Sequence, residues 1–235
     1  MPNAIIFGGI MSAPAQPDWE RLLAAAARLQ QLLPAAVLVG GTAAALHVKH
    51  RFSQDADHVL TDLRERFDEV LAELESAAGW TTARVRRPVM ILGQLDGIET
   101  GVRQLIRSQP LETVQVECNG KAVTVPTMAE ILRIKGVLIL KRNATRDYLD
   151  FMALADAMGP EAVIAALRNF DALYPQPGAQ SALQQLQVQL AKPLPYDLDA
   201  GRLDEYKDLA PRWQEWPQVE AQCARIACLL LAQLD

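Results

Sequence analysis

The chain has 235 residues, 50% of them hydrophobic, and a formal net charge of −5. That is enough for one large domain or two small ones with a full core, and the acidic balance argues against a wide nucleic-acid-binding face while leaving room for a local basic groove. Cys118, Cys223 and Cys228 show no C-x-x-C spacing, so they suit buried thiols in a reducing cytoplasm better than disulfides or a zinc site.

The N-terminal MPNAIIFGGIMSAPAQ lacks the basic start and long apolar centre of a secretion signal, and Met11 offers a second candidate start. No apolar run reaches transmembrane length, so the expectation is a cytoplasmic protein without a membrane segment. Asp18 is expected to cap a helix from about Trp19 to Leu33, which ends before Pro34. A strand at Ala36 to Val39 stops at Gly40 and Gly41. A short helix follows at Thr42 to Val48, then a strand at Asp55 to Leu60. Leu63 to Ala78 reads as an amphipathic helix ended by Gly79. Trp80 to Arg86 and Val89 to Leu92 read as strands, and Gly93, Gly97 and Gly101 punctuate the next stretch. Leu111 to Cys118 and Lys121 to Val125 form a hairpin around Asn119-Gly120.

After Pro126 the pattern turns helical. Thr127 and Glu130 make a capping box for a helix over Met128 to Lys141, which breaks at Arg142-Asn143. Helices are expected at Thr145 to Met158, from Gly159-Pro160 to Phe170, in the Gln/Leu-rich stretch after the Tyr174 to Gly178 linker, and at Pro217 to Leu234. The fold class is α+β, with a mixed-sheet domain over residues 1–126 and a helical domain over 127–235.

The chemistry concentrates in VLVGGTAAALHVKHRFSQDADHVL, residues 37–60. Two glycines let the backbone approach a phosphate, and a helix N-terminus offers free N–H groups to an anion. Asp55 and Asp57, one residue apart on a strand, point to one face. Two carboxylates there call for a hard cation such as Mg2+ with nucleotide phosphates. His47, His50 and His58 lie nearby, but not at the spacing of a tight zinc site. Lys135, on a helix after an apolar run, reads by itself as a lysine whose amine reaches solvent.

These residues resemble the signature of the nucleotidyltransferase superfamily, and within it the AbiEii toxin family. Gly40, Gly41, Thr42 and Ala43, then His50, Arg51, Ser53, Asp55 and Asp57, look like the family's first block. Lys135, Lys141, Arg142, Arg146, Asp147 and Asp150 in LRIKGVLILKRNATRDYLDFMAL resemble a second. The resemblance implies a nucleotidyltransferase-like sheet domain whose active-site cleft the helical domain completes. It also implies an Mg2+-dependent enzyme that moves a nucleoside monophosphate from a nucleoside triphosphate to a hydroxyl of RNA (such as tRNA) or protein, opposed by a cognate antitoxin. Asp55 and Asp57 would hold the metal. Gly40, Gly41, Thr42, Arg51 and Ser53 would contact the nucleotide, and Lys135 and Asp147 would join the two aspartates in catalysis. One departure stands out. A third carboxylate is usual on a later strand, and Val89 to Leu92 looks like its place, where Met90 stands; Glu99 and Glu117 are substitutes. That departure motivates an alternative, a catalytically degenerate nucleotide- or partner-binding protein. A small-molecule nucleotidyltransferase is a further alternative.

Overall fold

The computed structural model describes residues 16–118 and 120–232. The N-terminal apolar stretch, Asn119 of the hairpin turn and the expected helix end at Leu234 lie outside them. The chain forms two compact units: residues up to 46 with 53–127, and 47–52 with 128 onward.

The first unit is built on a sheet of β1 (Val37–Leu38), β2 (Ala56–Leu60), β3 (Trp80–Arg86), β4 (Met90–Leu95) and β5 (Ile98–Gln104), in the order β1-β2-β5-β4-β3. β2 and β5 run parallel and the other neighbours antiparallel, so the sheet is mixed. Two helices supply apolar side chains to one face. α1 (Gln16–Leu32) contributes Leu29, and α3 (Phe67–Ser76) contributes Phe67, Val70 and Leu74. They meet Leu60, Ile91, Leu95 and Val102 from the sheet. Alternation on β2 buries Ala56, His58 and Leu60 and leaves Asp57 and Val59 half-buried, as a one-sided strand requires. Asp18 lies in the first turn of α1 rather than at its cap, because the helix starts earlier than its apolar pattern.

β5 is an element the glycine-rich sequence hid. It is joined to β4 by Asp96 and Gly97, at φ +54° and +79°. Two positive φ values in a two-residue connection are the hallmark of the tight hairpin turn that follows strand twist. A separate hairpin, β6 (Thr113–Cys118) and β7 (Lys121–Pro126), pairs in the register expected around Asn119-Gly120. Gln30 on α1 ties it down, donating to the Thr124 carbonyl and accepting from its amide, both at 2.8 Å.

The second unit is helical: α4 (Met128–Arg142), α5 (Thr145–Met158), α6 (Pro160–Leu167), α7 (Phe170–Leu173), α8 (Ala182–Ala191) and α9 (Trp216–Leu231). The helix expected up to Phe170 is split, with α6 ending at Leu167. Ser181 caps α8 by accepting from the Gln184 amide at 3.0 Å. Phe151 and Phe170 pack against Gly136, where a Cβ would stand 3.3 Å from either ring. Cys223 is buried as expected, but Cys228 is exposed on the outer side of α9. A mixed sheet followed by helices is the α+β architecture expected from the sequence.

Candidate active site

The start of β2 gathers Gly40, Thr42, Ser53, Asp55 and Asp57 of the expected first block. α2 (Gly40–Val48) begins where β1 ends, and Gly40 has φ +76°, a conformation that glycine adopts without strain. A Cβ at Gly40 would lie 4.0 Å from the Asp57 Cβ, so the N-terminus of α2 abuts the Asp57 side chain. Asp55 precedes β2 and is fixed at two points. Thr42 Oγ1 donates to its carbonyl at 2.5 Å, and Ser53 Oγ donates to its Oδ1 at 2.7 Å. Thr42 is fully buried, so its hydroxyl serves this hydrogen bond rather than an external phosphate. Ser53 is also buried.

Arg103 on β5 reaches toward Asp57, with its Nε 3.7 Å from Oδ1, and both side chains are partly exposed. It also donates from Nη1 to Met90 Sδ at 3.0 Å. The place expected for a third carboxylate does not lie beside β2. The strand beside β2 is β5, not the Val89 to Leu92 strand, and its residues level with Asp57 and Val59 are Gly101 and Arg103. Glu117 lies on β6, in the other sheet. Glu99 is on β5 and exposed, yet among the described residues no three His, Cys, Asp or Glu side chains form a group able to hold a metal. Among the described residues, Asp55 and Asp57 are the carboxylates at the start of β2. Two hard oxygen donors, with water and substrate phosphates completing the shell, are a donor set that suits Mg2+.

Lys135, Arg142, Asp147 and Asp150 of the second block form a charge network with His50 and Arg51 in the helical unit. Asp150 is fully buried and accepts from Arg51 Nε at 2.6 Å and Nη2 at 3.0 Å, and from His50 Nε2 at 2.6 Å. Lys135 Nζ stands 2.6 Å from Asp150 Oδ2 and 3.3 Å from Asp147 Oδ1. Arg142 completes the set, donating to Asp147 from Nε at 2.5 Å and Nη2 at 2.7 Å. Burial pushes the Asp150 carboxyl up, but Arg51, Lys135 and the His50 hydrogen bond outweigh it and hold it well below the usual carboxylate range. Lys135 is 1% exposed, so its amine does not reach solvent. A snorkelling lysine is excluded by that number.

His58 is the residue whose sequence position said least. It lies on the opposite face of β2 from Asp57, fully buried, and neither ring nitrogen has a hydrogen-bond partner among the described residues. Burial pushes its pKa down to about 4. Backbone groups of Ala56, Ala26 and Gly101 approach the ring without hydrogen-bond geometry and offset only part of that shift.

A mixed sheet with a glycine turn, a helix N-terminus and two aspartates at the start of a strand defines a nucleotidyltransferase-like protein. The family model described as "Nucleotidyl transferase AbiEii toxin, Type IV TA system" matches residues 21–219, and the chain belongs to that family. Two solved structures share the fold. The crystal structure of ANT(2'')-Ia in complex with adenylyl-2''-tobramycin has a TM-score of 0.50 and 13% identity, over 66% of this chain and 97% of that one. JHP933 from Helicobacter pylori has a TM-score of 0.50 and 17% identity, over 92% of this chain and 91% of that one. A stretch of 130 residues, 54% of this chain, is 38% identical to "Heme uptake protein MmpL11" of Mycobacterium tuberculosis and 32% identical to "Probable transport protein MmpL11" of Mycobacterium leprae. The chain spans only 13% and 12% of the length of those two relatives. Among the described residues no helix is long and apolar enough to cross a membrane. Family and fold together support nucleotidyl transfer in general.

Proposed function

We propose that this chain transfers a nucleoside monophosphate from a nucleoside triphosphate to a hydroxyl acceptor, with Mg2+ held by Asp55 and Asp57. The observation that carries this reading is the abutment of the α2 N-terminus on Asp57, with Asp55 pinned by Ser53 and Thr42. A helix N-terminus favours phosphate, and two aspartates favour a hard cation, so the two preferences meet at one place. When bound, Mg2+ would neutralise charge on the triphosphate. The amides at Gly40 and Gly41 cradle phosphate oxygens, and Ser53 orients the Asp55 carboxylate. Thr42 acts by holding the Asp55 backbone. Lys135 and Asp147, whose charges are met inside the helical unit, are assigned to its integrity.

For the acceptor we favour RNA over a small molecule or a protein hydroxyl. Across the sheet, Asp57 is level with Gly101, Leu92 and Arg84, and Val59 with Arg103, Met90 and Arg86. Cα partners share a face, so Arg103, Arg84 and Arg86 carry positive charge away from Asp57 across roughly 14 Å of strand spacings. Arg84 and Arg86 are exposed. A row of that reach suits an acceptor with several phosphates. A cognate antitoxin and a cytoplasmic setting belong to this reading through the family.

Incubation with each labelled nucleoside triphosphate and total cellular RNA, in Mg2+ and in EDTA, tests the proposal. Label on RNA in Mg2+ alone is expected. Label on protein would redirect the acceptor, and nucleotide binding without any transfer would favour the degenerate site.

A further inference from the structure

Arg103 lies beside Asp57 in a geometry that leaves most of its donors unspent. Both residues belong to the sheet unit. The residue of β5 level with Asp57 is Gly101, which offers no side chain, and Arg103 is level with Val59, two residues further on. That spacing puts Arg103 and Asp57 on one face of the sheet. The Arg103 Nε stands 3.7 Å from Asp57 Oδ1, so the two side chains lean toward each other along the strands. At that distance the pair is an electrostatic contact and not a hydrogen bond. A guanidinium has five N–H donors. Among the described residues Arg103 makes one hydrogen bond, to Met90 Sδ at 3.0 Å, and a thioether is a weak acceptor. Elsewhere the chain saturates such pairs: Arg142 meets Asp147 through two donors, at 2.5 and 2.7 Å. The Arg103 side chain is also 43% exposed, within reach of a ligand at Asp57.

We propose that Arg103 binds a phosphate of the nucleoside triphosphate, and that in the free protein it serves as a counter-charge to Asp57. This rests on the nucleotidyl-transfer reading of the site. A phosphate oxygen accepts charge-assisted hydrogen bonds from a guanidinium, two at once where the planar fork fits. The 3.7 Å contact and the thioether hold it far less firmly. Once Asp57 is met by a cation, Arg103 is released to the anion that accompanies it. The same guanidinium repels a cation that comes without an anion. Arg103 therefore selects the metal–triphosphate complex over bare metal, and its effects on the two have opposite signs. An arginine kept only to neutralise Asp57 would hinder both.

The test uses the full chain and titration calorimetry with two probes. One is Mg2+ alone. The other is Mg2+ with each of the four α,β-methylene nucleoside triphosphates, whose α–β link is not cleaved. Arg103→Met and Arg103→Gln remove the charge. Both should bind the metal–triphosphate probe about tenfold or more weakly than wild type, the loss expected for one charge-assisted hydrogen bond. Both should bind Mg2+ alone severalfold more tightly. Arg103→Lys should match wild type for Mg2+ alone and recover only part of the triphosphate affinity. In an Asp57→Asn background, Arg103→Met should no longer improve Mg2+ binding, because that gain comes through Asp57. All three single variants should melt near wild type without ligand, since a half-exposed pair contributes little to stability. Neutral variants that bind the triphosphate probe as tightly as wild type, or more tightly, would overturn the proposal and leave the nucleotidyl-transfer reading standing. Unchanged Mg2+ binding would overturn the counter-charge role. Early melting of both neutral variants would make the pair structural and overturn the proposal as well. A wild type that binds none of the four probes in Mg2+ would overturn the nucleotidyl-transfer reading and the proposal together.

Discussion

His58 and Lys135 show how differently two buried ionisable side chains behave at the residue scale. Among the described residues neither ring nitrogen of His58 has a hydrogen-bond partner, and burial pushes its pKa down to about 4. Above its ordinary value of 6.5, folded and unfolded chains both carry a neutral ring. Below it the unfolded chain takes up a proton that the folded chain refuses, so stability falls as pH drops from 6.5 toward 4. The loss should total roughly 3 kcal/mol, and a His58→Leu variant should lose that slope in urea titrations across this window. Asp150 acts lower. Its folded pKa is depressed, so its contribution is present above the ordinary carboxylate value and disappears only as pH falls further. Lys135 is instead held by two carboxylates. Lys135→Ala removes a shared cation from two buried acids, and should cost about 3 kcal/mol in urea unfolding. Loss of turnover with unchanged stability would return Lys135 to a direct catalytic role.

At the scale of elements, the decisive strand is β5. A Cβ at Gly101 would lie 2.5 Å from the Ile91 carbonyl and 2.6 Å from Leu92 Cδ2, so even alanine cannot fit without moving β4. Gly101 is level with Asp57. Gly101→Ala should therefore lower the melting temperature and weaken nucleotide binding together, whereas Gly120→Ala, whose Cβ would meet nothing within 4 Å, should leave nucleotide binding unchanged. The sequence made the first block legible because Val37 to Leu60 combines apolar runs, a glycine turn and spaced carboxylates within two dozen residues. β5 was harder to see because Gly101 interrupts its apolar alternation for a packing reason that only β4 reveals. The Asp96-Gly97 pair was the readable signal. The expected place of a third carboxylate, at Met90, lies on β4, which β5 separates from β2, and Arg103 on β5 carries no motif in the sequence. Lys135 is marked in the sequence only by the family resemblance, since a lysine in an apolar helix reads the same whether it escapes to water or meets two buried acids from the next helix.

At the scale of the whole chain, two compact units with their own cores give ligand binding a thermodynamic signature that does not depend on turnover. The Asp55 and Asp57 carboxylates and the α2 N-terminus ask for opposite charges. Neither a free divalent cation nor a free triphosphate satisfies both, but the metal–nucleotide complex does. A ligand that binds only the folded form raises its stability by about 2.7 kcal/mol at a hundredfold excess over Kd. Mg2+ with a nucleoside triphosphate should therefore raise the unfolding midpoint, while the nucleotide in EDTA or Mg2+ alone should shift it far less. Asp57→Asn keeps the shape of the side chain and removes its charge at a partly exposed position. That variant should unfold at nearly the wild-type midpoint without ligand and lose most of the shift with Mg2+ and nucleotide. An equal shift in EDTA would remove the metal from the site. An Asp57→Asn protein that melts early without ligand would make the aspartate structural, held for its 3.7 Å contact with Arg103 rather than for a cation.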